Sequence, residues 1–296
     1  METTFAGLLG LAFGSFLNVC LSRWPEGESV IKPRSHCRNC THALSWWENI
    51  PLVSWLLLRG RCRNCRASIS WRYPLVELAV GVLWVVAIWR SSAWLFTPDQ
   101  PVVDLYREIA SVLGEMILYW LLVALTVLDA EHLWLPNFLT LPGAALGFIL
   151  FFIKLELASE PVLSKYGAEG MQQRLVYRFA FWEFIGILAA AGLILLIRWL
   201  YRLIRHREGI GLGDAKLMAL LAAWLGFPGA FLAFAVGAVL GSLAALVLLA
   251  VPSARTDPDS WATSKLPLGT FLCIGGIVSA LWGQTIIDAY LHLAGF

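Results

Sequence analysis

Two aspartates carry the chemistry this chain can do. Asp214 closes the run Gly209-Ile210-Gly211-Leu212-Gly213-Asp214-Ala215-Lys216, a glycine-rich turn at the mouth of an apolar segment. Asp129 begins Asp129-Ala130-Glu131-His132-Leu133-Trp134-Leu135-Pro136-Asn137, just after another apolar segment. Carboxylates at the ends of membrane helices are costly to desolvate, and they mark sites. Two that can meet form an acid–base pair, because like charges in contact cannot both ionise. One takes a proton from water while the other polarises a carbonyl, which is hydrolysis of a peptide bond by an aspartic mechanism. Gly211 and Gly213, with Gly209, let a substrate strand approach Asp214 closely. Lys216 is placed to hold a carboxylate ionised or to contact a substrate carbonyl. Each aspartate also has a plainer reading, a helix cap for Asp214 and a turn residue for Asp129. Glu131 and His132 point elsewhere on a helix.

Four cysteines offer different chemistry. Cys37-Arg38-Asn39-Cys40 returns as Cys62-Arg63-Asn64-Cys65 after twenty-one intervening residues. Two C-x-x-C turns build one tetrahedral thiolate site, and a closed four-thiolate site holds zinc for structure rather than catalysis. Disulfides are the poorer reading in a reducing compartment, and redox-active pairs are the other alternative. His36 and His42 flank the first turn and read as surface residues. Cys20 and Cys273 lie in apolar segments and read as small buried hydrophobes.

The elements that position these residues must be membrane helices. The chain has 296 residues, 59% of them hydrophobic and 14% charged. That is too apolar for an ordinary soluble domain. A span needs about 20 apolar residues. Eight candidates occur, at 5–21, 74–89, 109–128, 138–153, 179–197, 217–227, 230–251 and 268–291. The sixth, at roughly 17 Å, is short against a core of about 30 Å. No cleavable leader is expected, since Glu2 is the only charge before the first segment, which reads as a retained anchor.

Sixteen of the 22 basic residues fall in stretches 22–73, 198–216 and 253–267. The positive-inside bias places these stretches in the cytoplasm, with Asp129 and Asp214 on that side and both termini outside. The expected fold is an all-α polytopic membrane protein of about eight transmembrane helices with a small cytoplasmic zinc-binding insert. The expected domains are a first span at 1–22, the insert at 23–73 and a protease bundle at 74–296. Stretches 91–108 and 154–178 read as long outer loops, either small amphipathic helices or coil. A net charge of +2 makes no case for nucleic acid. Membrane lipid is the surrounding partner. A proton-coupled transporter would also carry intramembrane carboxylates, but it would favour repeats and midplane sites. A zinc-stabilised scaffold is the second rival.

At these residues the chain resembles the type IV prepilin peptidases, the G-x-G-D intramembrane aspartic proteases. The resemblance runs through Gly14-Ser15-Phe16-Leu17-Asn18-Val19, then the four cysteines, then Trp47-Glu48-Asn49-Ile50-Pro51 and Arg72-Tyr73-Pro74-Leu75-Val76-Glu77. It continues through both aspartate motifs. Near 265–271 the chain reads Lys-Leu-Pro-Leu-Gly-Thr-Phe, where the family more often shows Pro-Phe-Gly-Pro, and Trp24 stands where leucine is usual. The resemblance implies a bacterial inner-membrane enzyme that removes a basic leader from prepilins or pseudopilins on the cytoplasmic side. It also implies N-methylation of the new amino terminus from S-adenosylmethionine, a reaction that accompanies the zinc-bearing insert. Glu48, Asn49 and Pro51 are its expected residues there, the alternative being that they dock the insert on the bundle.

Overall fold

The structure is a computed structural model that describes residues 2–95, 101–164, 169–206, 211–250 and 266–295. It is an all-α, polytopic membrane fold. The helices are α1 (Glu2–Arg23), α2 (Val53–Leu57), α3 (Arg72–Leu95), α4 (Val102–His132), α5 (Asn137–Ser164), α6 (Glu169–Arg205), α7 (Leu212–Ala250) and α8 (Leu268–Leu293). Seven of these, all but α2, are long and apolar enough to cross a membrane.

The expected sixth and seventh segments are continuous in α7, which has 39 residues. A straight helix of that length would run about 58 Å, twice the hydrocarbon core. It is broken instead at Gly226, whose φ of 70° and ψ of 168° are not helical, and Pro228 follows. Only glycine reaches that region without cost, and proline supplies no N–H to the helical ladder. The two expected outer loops are also largely helix. α3 continues to Leu95, α4 begins at Val102, α5 runs to Ser164 and α6 starts at Glu169. Pairs such as Arg107–Asp104, at 3.1 Å and three residues apart, suit a solvated helical turn beyond the core. The stretch 253–267, apart from Leu266 and Pro267, lies outside the described residues, as do Arg207, Gly209 and Ile210.

The chain forms two compact units. One comprises Met1–Pro101 with Ser111–Ala124, the other Val102–Ala110 with Leu125–Phe296. In the first, α1 packs on α3 through small residues. A Cβ on Gly10 would come within 2.9 Å of the Gly81 Cα, and one on Gly14 within 2.7 Å of the Glu77 Cα. Close backbone approach of this kind drives helix association where lipid removes the hydrophobic incentive. The insert grows from the facing ends of this pair. It is tied down by Asn18 Nδ2 donating to the Tyr73 carbonyl at 2.9 Å and by Arg72 Nη2 donating to Ser22 Oγ at 2.8 Å.

In the second unit α7 packs against α5, α6 and α8. A Cβ on Gly275 of α8 would run into the Ala233 carbonyl oxygen, and one on Gly237 would stand 2.9 Å from that of Phe271. Leu217, Met218, Leu220 and Leu221, fully buried, fill the core beneath Asp214.

Candidate functional site

Asp129 sits in the last turn of α4 and Asp214 in the first turn of α7. Both are buried, at 5% and 8% exposure, although each stands at a helix end. Leu133, four residues past Asp129, has a φ of 50°, and its N–H reaches the Asp129 carbonyl at 2.9 Å. This left-handed residue ends α4 and turns the chain back. The turn brings Leu135 against two glycines. A Cβ on Gly213 would meet Leu135 Cβ at 3.1 Å, and one on Gly269 would meet Leu135 Cδ1 at 2.9 Å. The same Cβ on Gly269 would also lie 2.9 Å from Asp129 Cγ and Oδ2. Leu135 is thus wedged between the starts of α7 and α8, and Asp129 rests on α8. The charge of Asp129 reaches Asp214, and both reach Cys273, which is fully buried one turn beyond Gly269. The two aspartates, 85 residues apart in the chain, form one site.

Each carboxylate has its own donors. Asp129 Oδ2 accepts the Thr270 N–H at 2.6 Å and the Thr270 hydroxyl at 3.2 Å. The same hydroxyl lies 3.2 Å from the Thr126 carbonyl. Asp129 stands at the negative end of its own helix, and the N-terminal turn of α8 supplies the compensating dipole. Asp214 Oδ2 accepts the Gly211 N–H at 3.1 Å, the reach-back of a carboxylate in the first helical turn. Capping and pairing therefore coexist at Asp214 and are not alternatives.

Lys216 reaches across to the first aspartate motif. Its Nζ donates to Asn137 Oδ1 at 2.6 Å, so it ties the second aspartate motif to the first. Glu131 and His132 are exposed, 3.9 Å apart, and stand off the pair. Gly269 and Thr270 were not expected from sequence. The available signal was a Gly-Thr step at the start of an apolar helix, and nothing local to it says which carboxylate it faces.

In the first unit the four cysteine sulfurs lie within 4.8 Å of one another. Cys37 and Cys65 are 3.8 Å apart, and Cys40 and Cys62 are 3.9 Å apart. Four sulfurs at about 2.3 Å from a zinc ion stand about 3.8 Å apart, so the cage fits that metal. The two turns are copies. Cys37 donates to the His42 carbonyl and Cys62 to that of Ala67, while Thr41 and Arg66 take nearly the same φ, 59° and 60°. The repeated asparagine has a purpose. Asn39 Nδ2 reaches Cys65 Sγ at 3.5 Å and Asn64 Nδ2 reaches Cys40 Sγ at 3.6 Å, each crossing to the other turn. The Asn39 contact, followed by the Ala67 backbone N–H, brings the Cys65 thiol down to about 6, which favours the thiolate a metal needs.

His36 and His42 are half-buried rather than fully at the surface. His42 Nε2 lies 3.7 Å from Glu48 Oε2, a carboxylate only 1% exposed. Glu48 closes a capping box on the turn Trp46–Asn49, accepting the Ser45 N–H at 2.8 Å. That backbone bond, with the nearby His42 and Arg63, holds its carboxyl below the ordinary range. Glu48, Asn49 and Pro51 all line a cavity of about 1010 Å³ bounded by α1, the insert and the start of α3. Asn18 and Glu77, absent from the expected methyltransferase set, line it as well. Cys20 and Cys273 are buried, at 1% and 0% exposure.

Residues 8–91 match the model of the bacterial peptidase A24 N-terminal domain, and residues 116–246 match that of the type IV leader peptidase family. A prepilin leader peptidase/N-methyltransferase of Pseudomonas putida is 33% identical, covering 99% of this chain and 95% of its own. The protein of the same name from Stutzerimonas stutzeri is 33% identical over 97% and 93%. One from Myxococcus xanthus is 34% identical over 90% of this chain and 68% of its own. No solved structure matches.

Proposed function

This chain belongs to the type IV leader peptidase family, and from that premise we propose which of its residues cut, which bind and which hold the fold. It is a membrane-embedded aspartic endopeptidase that removes the leader from type IV prepilins or pseudopilins and N-methylates the new amino terminus. Asp129 and Asp214 are the catalytic pair. The observation that carries this is that both are buried and that Leu135 packs on Gly213, next to Asp214, and on Gly269, which lies against the Asp129 carboxylate.

The Thr270 N–H donates to Oδ2 of Asp129, and the single Thr270 hydroxyl proton is shared between that oxygen and the Thr126 carbonyl. The ionised carboxylate takes a proton from water as the water oxygen bonds to the scissile carbonyl carbon. The protonated partner gives its proton to the carbonyl oxygen. Collapse of the tetrahedral species returns a proton to the amide nitrogen as the C–N bond breaks. Gly211 leaves room for an extended substrate strand beside Asp214, and Gly213 supports the site by making room for Leu135. Lys216 supports the site through Asn137.

Cys37, Cys40, Cys62 and Cys65 hold one structural zinc that fixes the insert. S-adenosylmethionine, when bound, supplies the methyl group. Glu48, Asn49 and Pro51 serve that reaction at the cavity they line, with Glu48 fixed by the Ser45 cap. The first span is residues 1–22, the insert 23–73 and the protease bundle 74–296. The enzyme lies in the inner membrane of a bacterium with both sites toward the cytoplasm, a reading supported by the clustering of basic residues.

The test is leader cleavage by purified Asp129→Asn and Asp214→Asn variants. Each loses cleavage by more than about a thousandfold while staying folded, in line with removal of a group that acts only in the transition state. Wild-type turnover in either variant sinks the paired mechanism.

A further inference from the structure

Two buried acceptors that line the cavity of the N-terminal unit have no partner. Asn18 is 2% exposed, and its amide nitrogen is committed to the Tyr73 carbonyl, which leaves Oδ1 with no partner. Glu48 is 6% exposed, and with Oε2 on the Ser45 N–H, its Oε1 also has none. Glu77, 7% exposed, accepts the Leu52 N–H at 2.8 Å and adds a second carboxylate. Arg23 is the basic group nearest this set along α1, but its guanidinium is spent on the carbonyls of Ser29 and Pro33, each at 2.7 Å. The open valences of Asn18 and Glu48 are therefore acceptors; Arg38 and Arg63 also line the cavity, and His42 Nε2, 3.7 Å from Glu48 Oε2, has no hydrogen-bond partner either. Buried acceptors without partners are rare in folded proteins and call for an explanation at each occurrence. A ligand that brings N–H groups and positive charge completes them, whereas an anion would face unmatched lone pairs.

We propose that this cavity is a binding site for a primary ammonium group, with Asn18 Oδ1 and Glu48 Oε1 as its acceptors. The inference rests on placing methyl transfer at this cavity. That reaction brings two such groups, the amino terminus uncovered by cleavage and the amino group of the methyl donor. Both present N–H donors that Asn18 Oδ1 and Glu48 Oε1 can accept. Asn18 lies on α1 and Glu48 in the insert, so the site exists only when the insert is seated on the helix pair. This gives the zinc a reason to be near methyl transfer without touching it.

The experiment measures binding to the full chain in lipid nanodiscs with four probes. Two are a peptide carrying the mature substrate amino terminus and its N-acetylated form. The others are S-adenosylmethionine and its analogue lacking the amino group. In the unmodified protein one of these pairs should differ by about tenfold or more, which corresponds to about 1.4 kcal/mol. The pair that differs identifies which amine occupies the site. Glu48→Gln, which turns a free acceptor into an amide donor, and Asn18→Leu should each reduce that difference to less than about threefold. Glu48→Gln serves alone as the readout if Asn18→Leu does not fold. Equal binding of amine and amine-free probes by the unmodified protein overturns the proposal. So does an undiminished difference in Glu48→Gln. The underlying reading is tested separately by Ser15→Trp, which fills the cavity. If that folded variant still methylates a pre-cleaved peptide at the normal rate, methyl transfer is elsewhere. If it loses transfer while no amine preference is found, only the ammonium site falls.

Discussion

Gly269→Ala separates catalysis from stability more cleanly than replacing an aspartate. The added methyl would lie 2.9 Å from Asp129 Cγ, Asp129 Oδ2 and Leu135 Cδ1. Ordinary contacts of this kind begin near 3.4 Å, so the carboxylate or the start of α8 must move by about 0.5 Å. Either movement disturbs the Thr270 N–H bond to Asp129, which at 2.6 Å has no slack and is made by the very next residue. A hydrogen bond to a charged group is worth about 1.5–3 kcal/mol, and a misplacement of about 1 Å costs about a hundredfold. Together these give a kcat about 10- to 100-fold lower. Alanine is the better helix former by up to about 1 kcal/mol, so α8 is not weakened. The assay is leader cleavage in detergent with kcat and KM resolved, beside a thermal melt of the same preparation. The expected result is a fall in kcat with KM nearly unchanged and no loss of Tm. Gly275→Ala is the contrast. Its methyl collides with the Ala233 carbonyl in the α7–α8 packing, so it should lower Tm and spare kcat per folded molecule. A Gly269→Ala enzyme with normal kcat would refute the reliance of cleavage on the contact between α8 and the Asp129 carboxylate.

Three further outcomes are expected. Thr270→Val removes the hydroxyl donor to Asp129 but keeps the N–H, and kcat/KM should fall about tenfold, the effect of one charge-assisted bond, with Thr270→Ser restoring it. Metal analysis should find about one zinc per chain. Cys37→Ser with Cys40→Ser should lose it and make residues 23–72 sensitive to protease, since a structural zinc supplies folding energy. Glu48→Gln and Asn49→Ala should lower methylation of a pre-cleaved peptide more than they lower leader cleavage, whereas Asp129→Asn should do the reverse. Measuring both products for each variant checks this, and loss of methylation in folded Asp129→Asn would show that the two sites are not separable.

Much of this protein was legible in the chain. Long apolar runs can only be helices in a bilayer, where every backbone group must be satisfied within its own segment. The cysteine pairs carry their spacing and their repeat in the sequence, and metal chemistry admits few readings of that pattern. The two aspartates stand out because charge is rare in such a composition. What local sequence does not encode is which surfaces meet. That α7 is one helix broken at Gly226 depends on a backbone conformation that glycine permits but does not require. That Lys216 serves Asn137, that Asn39 and Asn64 cross between the cysteine turns, and that Gly269 and Thr270 cradle Asp129 are all contacts between distant parts of the chain. A Gly-Thr step opening an apolar helix has no periodicity and no motif to announce it. Its role arises only when packing sets the N-terminus of α8 against the last turn of α4, because a hydrogen bond depends on distance in space and not on distance along the chain.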